Sequence, residues 1–92
     1  MFDELIRALE GVRDAIDSKD NEEALAALTF ALMQIADLFG HSPKHFAALA
    51  EPMEELKGYL EAKDFDEATA VTLGLLAKFR AVRDVTAKKY GV

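Results

Sequence analysis

Apolar side chains recur every three or four positions along most of this chain, and the breaks in that rhythm divide it into four segments. Phe2, Leu5, Ile6, Leu9, Val12 and Ile16 share one face of a first helix. The stretch SKDNEEA (18–24) then stops one helix and starts the next, with Asp20 as N-cap and Glu23 three places on, in the manner of a capping box. The second helix is predicted from about Asn21 to Phe39, with Gly40 as a left-handed terminator. In GHSPKHF (40–46), the longest turn, Ser42 is the expected N-cap and Pro43 suits the first helical position. The third helix carries Phe46, Leu49, Met53, Leu56 and Leu60 on one face. Pro52 inside it removes an amide donor and crowds the carbonyl of Ala48, which predicts a kink or a break near Ala50. AKDFDEA (62–68) repeats the earlier turn, and a long fourth helix is predicted from about Phe65 to Tyr90.

The two turns lie 44 positions apart, and the same offset aligns the helices around them. Phe2 falls on Phe46, Leu5 on Leu49, Leu9 on Met53, Val12 on Leu56 and Ile16 on Leu60. Glu10, Lys19, Asp20, Glu23, Ala24, Ala26 and Leu32 recur unchanged as Glu54, Lys63, Asp64, Glu67, Ala68, Ala70 and Leu76. Any two amphipathic helices could supply the apolar matches. A Lys-Asp-x-acid-Glu-Ala turn at one common offset points instead to duplication of a helical hairpin. The expected fold is therefore all-α: an antiparallel four-helix bundle made of two αα-hairpins related by an internal repeat of 44 residues. The whole chain, 1–92, reads as a single helical domain, with hairpin 1 over about 1–40 and hairpin 2 over about 43–92.

In the second copy, Tyr59, Phe65 and Ala68 around the KDFDEA turn resemble the inter-helix turn of tetratricopeptide repeats. There, an aromatic from the first helix, an aromatic after the acidic turn residue and an alanine of the second helix pack together. The rest departs from that family: Leu56 stands at its first-helix glycine, Arg80 at its closing proline, and the repeat is 44 residues rather than the family's 34. The resemblance covers the turn alone and implies a helix-turn-helix packing unit, with protein binding as its functional connotation.

The predicted helices are of two kinds. The first and third have one apolar stripe and one charged face. The second places Leu25, Leu28, Leu32, Ile35 and Phe39 together, with Ala26, Phe30 and Met33 almost opposite, leading to Asp37. The fourth places Val71, Leu75, Phe79 and Val82 together, with Ala70, Leu73, Gly74, Ala77 and Ala81 roughly on the far side. One stripe suffices for a bundle helix, so a second asks for another neighbour. Either the second and fourth helices lie centrally in the monomer, or their second stripes meet another subunit. Exposed, each stripe is an apolar patch of the kind monomers avoid.

Composition narrows the chemistry. Just over half the residues are hydrophobic and 30% are charged, a globular balance. There is no cysteine, so disulfides, thiolate metal sites and thiol nucleophiles are excluded. The acidic start, MFDELIRALE, lacks a leader pattern, and the longest apolar-rich run, Ala24 to Phe39, is interrupted by Thr29, Gln34 and Asp37. A cytoplasmic protein with no membrane partner is expected. The net charge of −6 is uneven: residues 1–67 hold 16 of the 17 acids and 6 of the 11 Lys and Arg residues. Lys78, Arg80, Arg83, Lys88 and Lys89 gather in the fourth helix, where they suit its dipole and can pair with acidic neighbouring helices. Nucleic acid is not an expected partner, because the molecule as a whole repels polyanions.

Catalytic and metal motifs are sparse. His41 and His45 flank Ser42-Pro43 and suggest a metal site with Asp37, but they do not share a helical face and no HExxH or Glu-x-x-His element accompanies them. Exposed loop histidines are the simpler reading. Glu51, Glu54 and Glu55 read as a solvated face, Ser42 as a cap, and Thr72 and Thr86 as core-facing threonines bonded within their helix. No phosphate-binding glycine loop occurs, and most aromatics read as core. The chain is thus expected to be a non-catalytic interaction module without metal or cofactor. It would form a homo-oligomer, most simply a dimer, through Ala26, Phe30, Met33, Ala70, Leu73, Gly74, Ala77 and Ala81. A chaperone or adaptor for a partner protein's amphipathic helix is the alternative, and an enzyme using the histidine loop comes third.

Overall fold

The helices form where the breaks in the apolar rhythm place them: α1 (Asp3–Asp17), α2 (Asn21–Phe39), α3 (Pro43–Glu61) and α4 (Phe65–Tyr90). The computed structural model describes residues 2–90, apart from the side chains of Thr86, Ala87, Lys89 and Tyr90. The expectation for the Thr86 hydroxyl therefore lies outside the described residues. α3 runs unbroken through Pro52, so the expected split near Ala50 does not occur.

The two turns are the same structure twice. Each leaves its helix through one left-handed residue, Lys19 at φ 57° and Lys63 at φ 60°. The Lys19 N–H donates to Ile16 O (2.9 Å) and the Asp20 N–H to Ala15 O (2.8 Å). At the shifted positions Lys63 donates to Leu60 O (3.1 Å) and Asp64 to Tyr59 O (2.8 Å). These are the paired bonds of a left-handed helix terminus, made here without glycine. The same aspartates then open the next helices: Asp20 Oδ1 accepts from the Glu23 N–H (3.1 Å), and Asp64 Oδ1 from the Glu67 N–H (3.3 Å). The reciprocal half of a capping box is absent, because the Asp20 amide already donates to Ala15 O. One residue thus ends a helix with its amide and starts another with its carboxylate.

α1 packs on α2 and α4, and α3 packs on the same two helices. Among the described residues no Cα pair lies within 8 Å across either diagonal. In cross-section the helices occupy the corners of a square, in chain order. Two part-exposed ion pairs fasten α4 to α1, Arg80 to Glu10 at 3.0 Å and Arg83 to Asp3 at 3.5 Å. Each contributes roughly 0.2–1 kcal/mol. Of the cations gathered in α4, Arg80 and Arg83 thus pair with an acidic neighbouring helix as expected, whereas Lys78 and Lys88 take part in no ion pair among the described residues. At one end the Phe2 ring packs 6.1 Å from Phe39 and 6.3 Å from Phe79.

Every apolar residue assigned to the inner face of α1 is buried, as are Met53, Leu56 and Leu60 of α3. The inner face of α2 differs from the leucine stripe. Ala24, Leu28, Ala31 and Ile35 are buried, while Leu25, Leu32 and Phe39 are only half-buried. Close approach of α1 explains the rotation: a Cβ on Gly11 would lie 3.6 Å from that of Ala27, so small side chains fill this seam. In α4 the core takes Ala68, Thr72, Leu75, Leu76 and Phe79. Val82, assigned to that face, is exposed: counted back from the turn, it lies level with the first turn of α3, where the bundle runs out. Thr72 is fully buried and its Oγ1 donates to Ala68 O at 2.7 Å, which satisfies the hydroxyl within the helix.

Gly40 is not left-handed, with φ −61°. It is required by a close approach instead, since a Cβ there would come within 2.4 Å of Ala36 O. Ser42 holds the N-cap position of α3 but makes no side-chain cap. No described helix is long and apolar enough to cross a membrane.

Candidate functional site

All eight residues assigned to a contact surface are exposed: Ala26, Phe30 and Met33 on α2, and Ala70, Leu73, Gly74, Ala77 and Ala81 on α4. The cause is the bundle geometry. With about 100° per residue, Ala26, Phe30 and Met33 lie opposite the inner face set by Ala24, Leu28, Ala31 and Ile35. The α4 stripe lies opposite Ala68, Thr72, Leu75 and Phe79 in the same way. Neither helix is central, and among the described residues none covers either outer stripe. Phe30 retains 46% of its surface, Met33 59% and Leu73 49%.

The eight residues form two surfaces rather than one. α2 and α4 occupy opposite corners, so their outer faces point away from each other. The repeat pairs the two surfaces position by position: Ala26 with Ala70, Phe30 with Gly74, Met33 with Ala77, and Asp37 with Ala81. Bulk on one face is matched by its absence on the other. Phe30 lines a shallow groove of about 380 Å³ with Glu4, Arg7 and Ala8 of α1. A second groove of about 430 Å³ lies between α2 and α3, floored by Leu25, Leu28 and Leu32 and edged by Thr29, Lys57 and Glu61. Sequence periodicity missed this groove, because it placed Leu25 and Leu32 in the core.

The histidine loop brings one polar pair together. Ser42 Oγ lies 2.6 Å from His45 Nδ1 on the exposed first turn of α3. A serine beside an imidazole can begin a nucleophile–base pair, but the base then needs a third group to orient it. No such partner of His45 occurs among the described residues, and the contact takes up the oxygen that would otherwise cap α3. His41 is exposed, and among the described residues no three acidic or histidine side chains converge as a metal site would require. Tyr59 and Phe65 of the tetratricopeptide-like turn are half-buried against the core and Ala68 is fully buried. Asn21 Oδ1 is buried without a hydrogen-bond partner, at the position where the second copy has Phe65.

Compared with models of known protein families, with curated proteins and with solved structures, the chain has no match.

Proposed function

We propose that this protein is a small, cytoplasmic, non-catalytic interaction module that associates with itself through the outer faces of α2 and α4. One observation carries the reading: the large apolar side chains Phe30, Met33 and Leu73 stand about half exposed on faces that none of the described residues covers. Full burial of such a side chain from water is worth about 1.5–3 kcal/mol, so covering the exposed half of each yields roughly 1 kcal/mol per anchor. A standard interface takes about 800 Å² from each partner. Against a total surface of 5771 Å², that is one helix face with its polar rim.

Light-scattering mass across a dilution series tests this. A mass that rises with concentration, and falls back when Phe30→Asp is introduced with helicity unchanged, supports it. If Phe30→Asp leaves both mass and thermal stability as they were, the interface reading fails.

A second reading is an adaptor that receives an amphipathic helix of another protein. The apolar-floored groove between α2 and α3 favours it, since a helix laid there would cover Leu25 and Leu32. Monomeric mass at every concentration, with a co-purified protein lost on Leu25→Asp, separates it from self-association. The non-catalytic part of the proposal predicts that His41→Ala/His45→Ala behaves as wild type and that purified protein contains negligible metal.

A further inference from the structure

We propose that α3 is a releasable strap: it lifts off the bundle as a unit and returns, while α1, α2 and α4 stay packed. No residue of α3 belongs to the outer faces of α2 and α4, so this stands whether or not copies associate.

The repeat supplies the comparison, because α1 and α3 are equivalent helices held by the same two neighbours. α1 buries seven side chains over 15 residues, whereas α3 buries Met53, Leu56 and Leu60 over 19. Phe2 and Leu5 are buried, but their equivalents Phe46 and Leu49 are only half-buried. The seams differ for a definite reason. Gly11 and Ala27 let α1 and α2 approach closely, with a Cβ on Gly11 only 3.6 Å from that of Ala27. The second hairpin has Glu55 and Val71 at those places, and the backbones of α3 and α4 come within 8 Å at far fewer positions.

Polar ties differ in the same direction. Arg80 and Arg83 tie α4 to Glu10 and Asp3 of α1. Shifted by the repeat, the arginine places fall on Ala36 and Phe39 of α2, and no ion pair of the described residues joins α3 to another helix. α1 begins with Asp3 and Glu4, whereas the first turn of α3 has no acid to complement the helix dipole. Pro52, at the place of the buried Ala8, withholds the amide that would donate to Ala48 O. Few buried apolar contacts and missing ties set a segment apart as a unit of local opening. α4 shares the loose seam, but it packs Phe79 on Phe2 and keeps two ties to α1, so α3 is the helix that leaves.

Native-state hydrogen exchange, read amide by amide by NMR in urea below the unfolding transition, tests this. The expected result is protection at Met53, Leu56 and Leu60 at least about tenfold below that at Leu9 and Val12, since the exposed parts of Phe46 and Leu49 do nothing to hold α3. Leu28 in α2 and Leu76 in α4 should match α1. Equal protection in α1 and α3 overturns the proposal. So does lowered protection of Leu76 together with α3, which would make the whole second hairpin the opening unit. Ala8→Gly gives an independent measurement, because it weakens α1 on its α2 side, at a corner diagonal to α3. It should lower protection at Leu9 and Val12 about fivefold, through global unfolding, and leave Met53, Leu56 and Leu60 unchanged. An equal fall in α3 shows that α3 opens only with the whole molecule, and the strap is then refuted. Should Ala8→Gly fail to fold, the wild-type comparison of α3 with α1 and α4 decides by itself.

Discussion

Lys19 and Lys63 hold left-handed backbone conformations that glycine adopts without strain, and this supports a quantitative prediction. Their φ values are 57° and 60°, and both side chains are exposed and absent from the ion pairs of the described residues. Replacing either by glycine therefore removes no packing or charge partner. An L-residue in the left-handed region costs roughly 1–2 kcal/mol, because Cβ crowds the following carbonyl. Glycine returns about 0.5–1 kcal/mol of that as extra freedom of the unfolded chain. The net expectation for Lys19→Gly or Lys63→Gly is a gain of about 0.5–1 kcal/mol. The two turns share no hydrogen bond, so the double variant should gain about 1–2 kcal/mol. For a domain of this size that raises the melting temperature by about 5–10 °C. Thermal and urea unfolding followed at 222 nm measures both quantities. Because the turns match bond for bond, the two single effects should agree within about 0.5 kcal/mol. A loss of stability at either site, or a gain at only one, would refute the claim that these lysines are strained and equivalent. As a control, Lys19→Val should lose about 1 kcal/mol or more, since a β-branched residue tolerates this conformation worst.

Three further outcomes are expected. Gly40→Ala should destabilise by about 1–3 kcal/mol in urea unfolding, because its Cβ would meet Ala36 O and force the α2–α3 junction to move. Gly74→Ala, where a Cβ meets nothing, should stabilise the monomer by about 0.8–1.0 kcal/mol in the same assay, and the opposite sign would show that Gly74 serves a contact even in dilute solution. Leu56→Ala, at a fully buried site, should cost about 2–5 kcal/mol and broaden or abolish the cooperative transition seen by calorimetry.

Helix limits were legible because stop and start signals coincide in single residues: Asp20 and Asp64 each end one helix and cap the next. The repeat was legible for the same reason. What the sequence misplaced follows from how closely the helices approach. Following the stripe of large apolar residues put Leu25 and Leu32 on the inner face, whereas the tight α1–α2 seam at Gly11 and Ala27 admits Ala24 and Ala31 instead. Gly40 and Ser42 were read by residue type, as a left-handed terminator and a hydroxyl cap. Gly40 instead accommodates a close carbonyl, and Ser42 bonds an imidazole. The left-handed lysines carried no signal, since only the surrounding bonds hold them there. The outer stripes were visible in the periodicity. That they face opposite ways was not, because it depends on which helices are diagonal.

The duplicated turn also bears on how the chain reaches its fold. Each turn closes a hairpin from neighbouring sequence, so the molecule has two places at which folding can start, the α1–α2 hairpin being the more extensively packed. Removing the cap of the weaker hairpin, as in Asp64→Ala, leaves the first hairpin intact as a nucleus. Its cost should therefore fall on the unfolding rate and hardly touch the folding rate. Removing both, with Asp20→Ala as well, leaves no intact nucleus, and refolding should then slow by more than the product of the single effects. Duplication in this chain gives redundancy in time as well as symmetry in space.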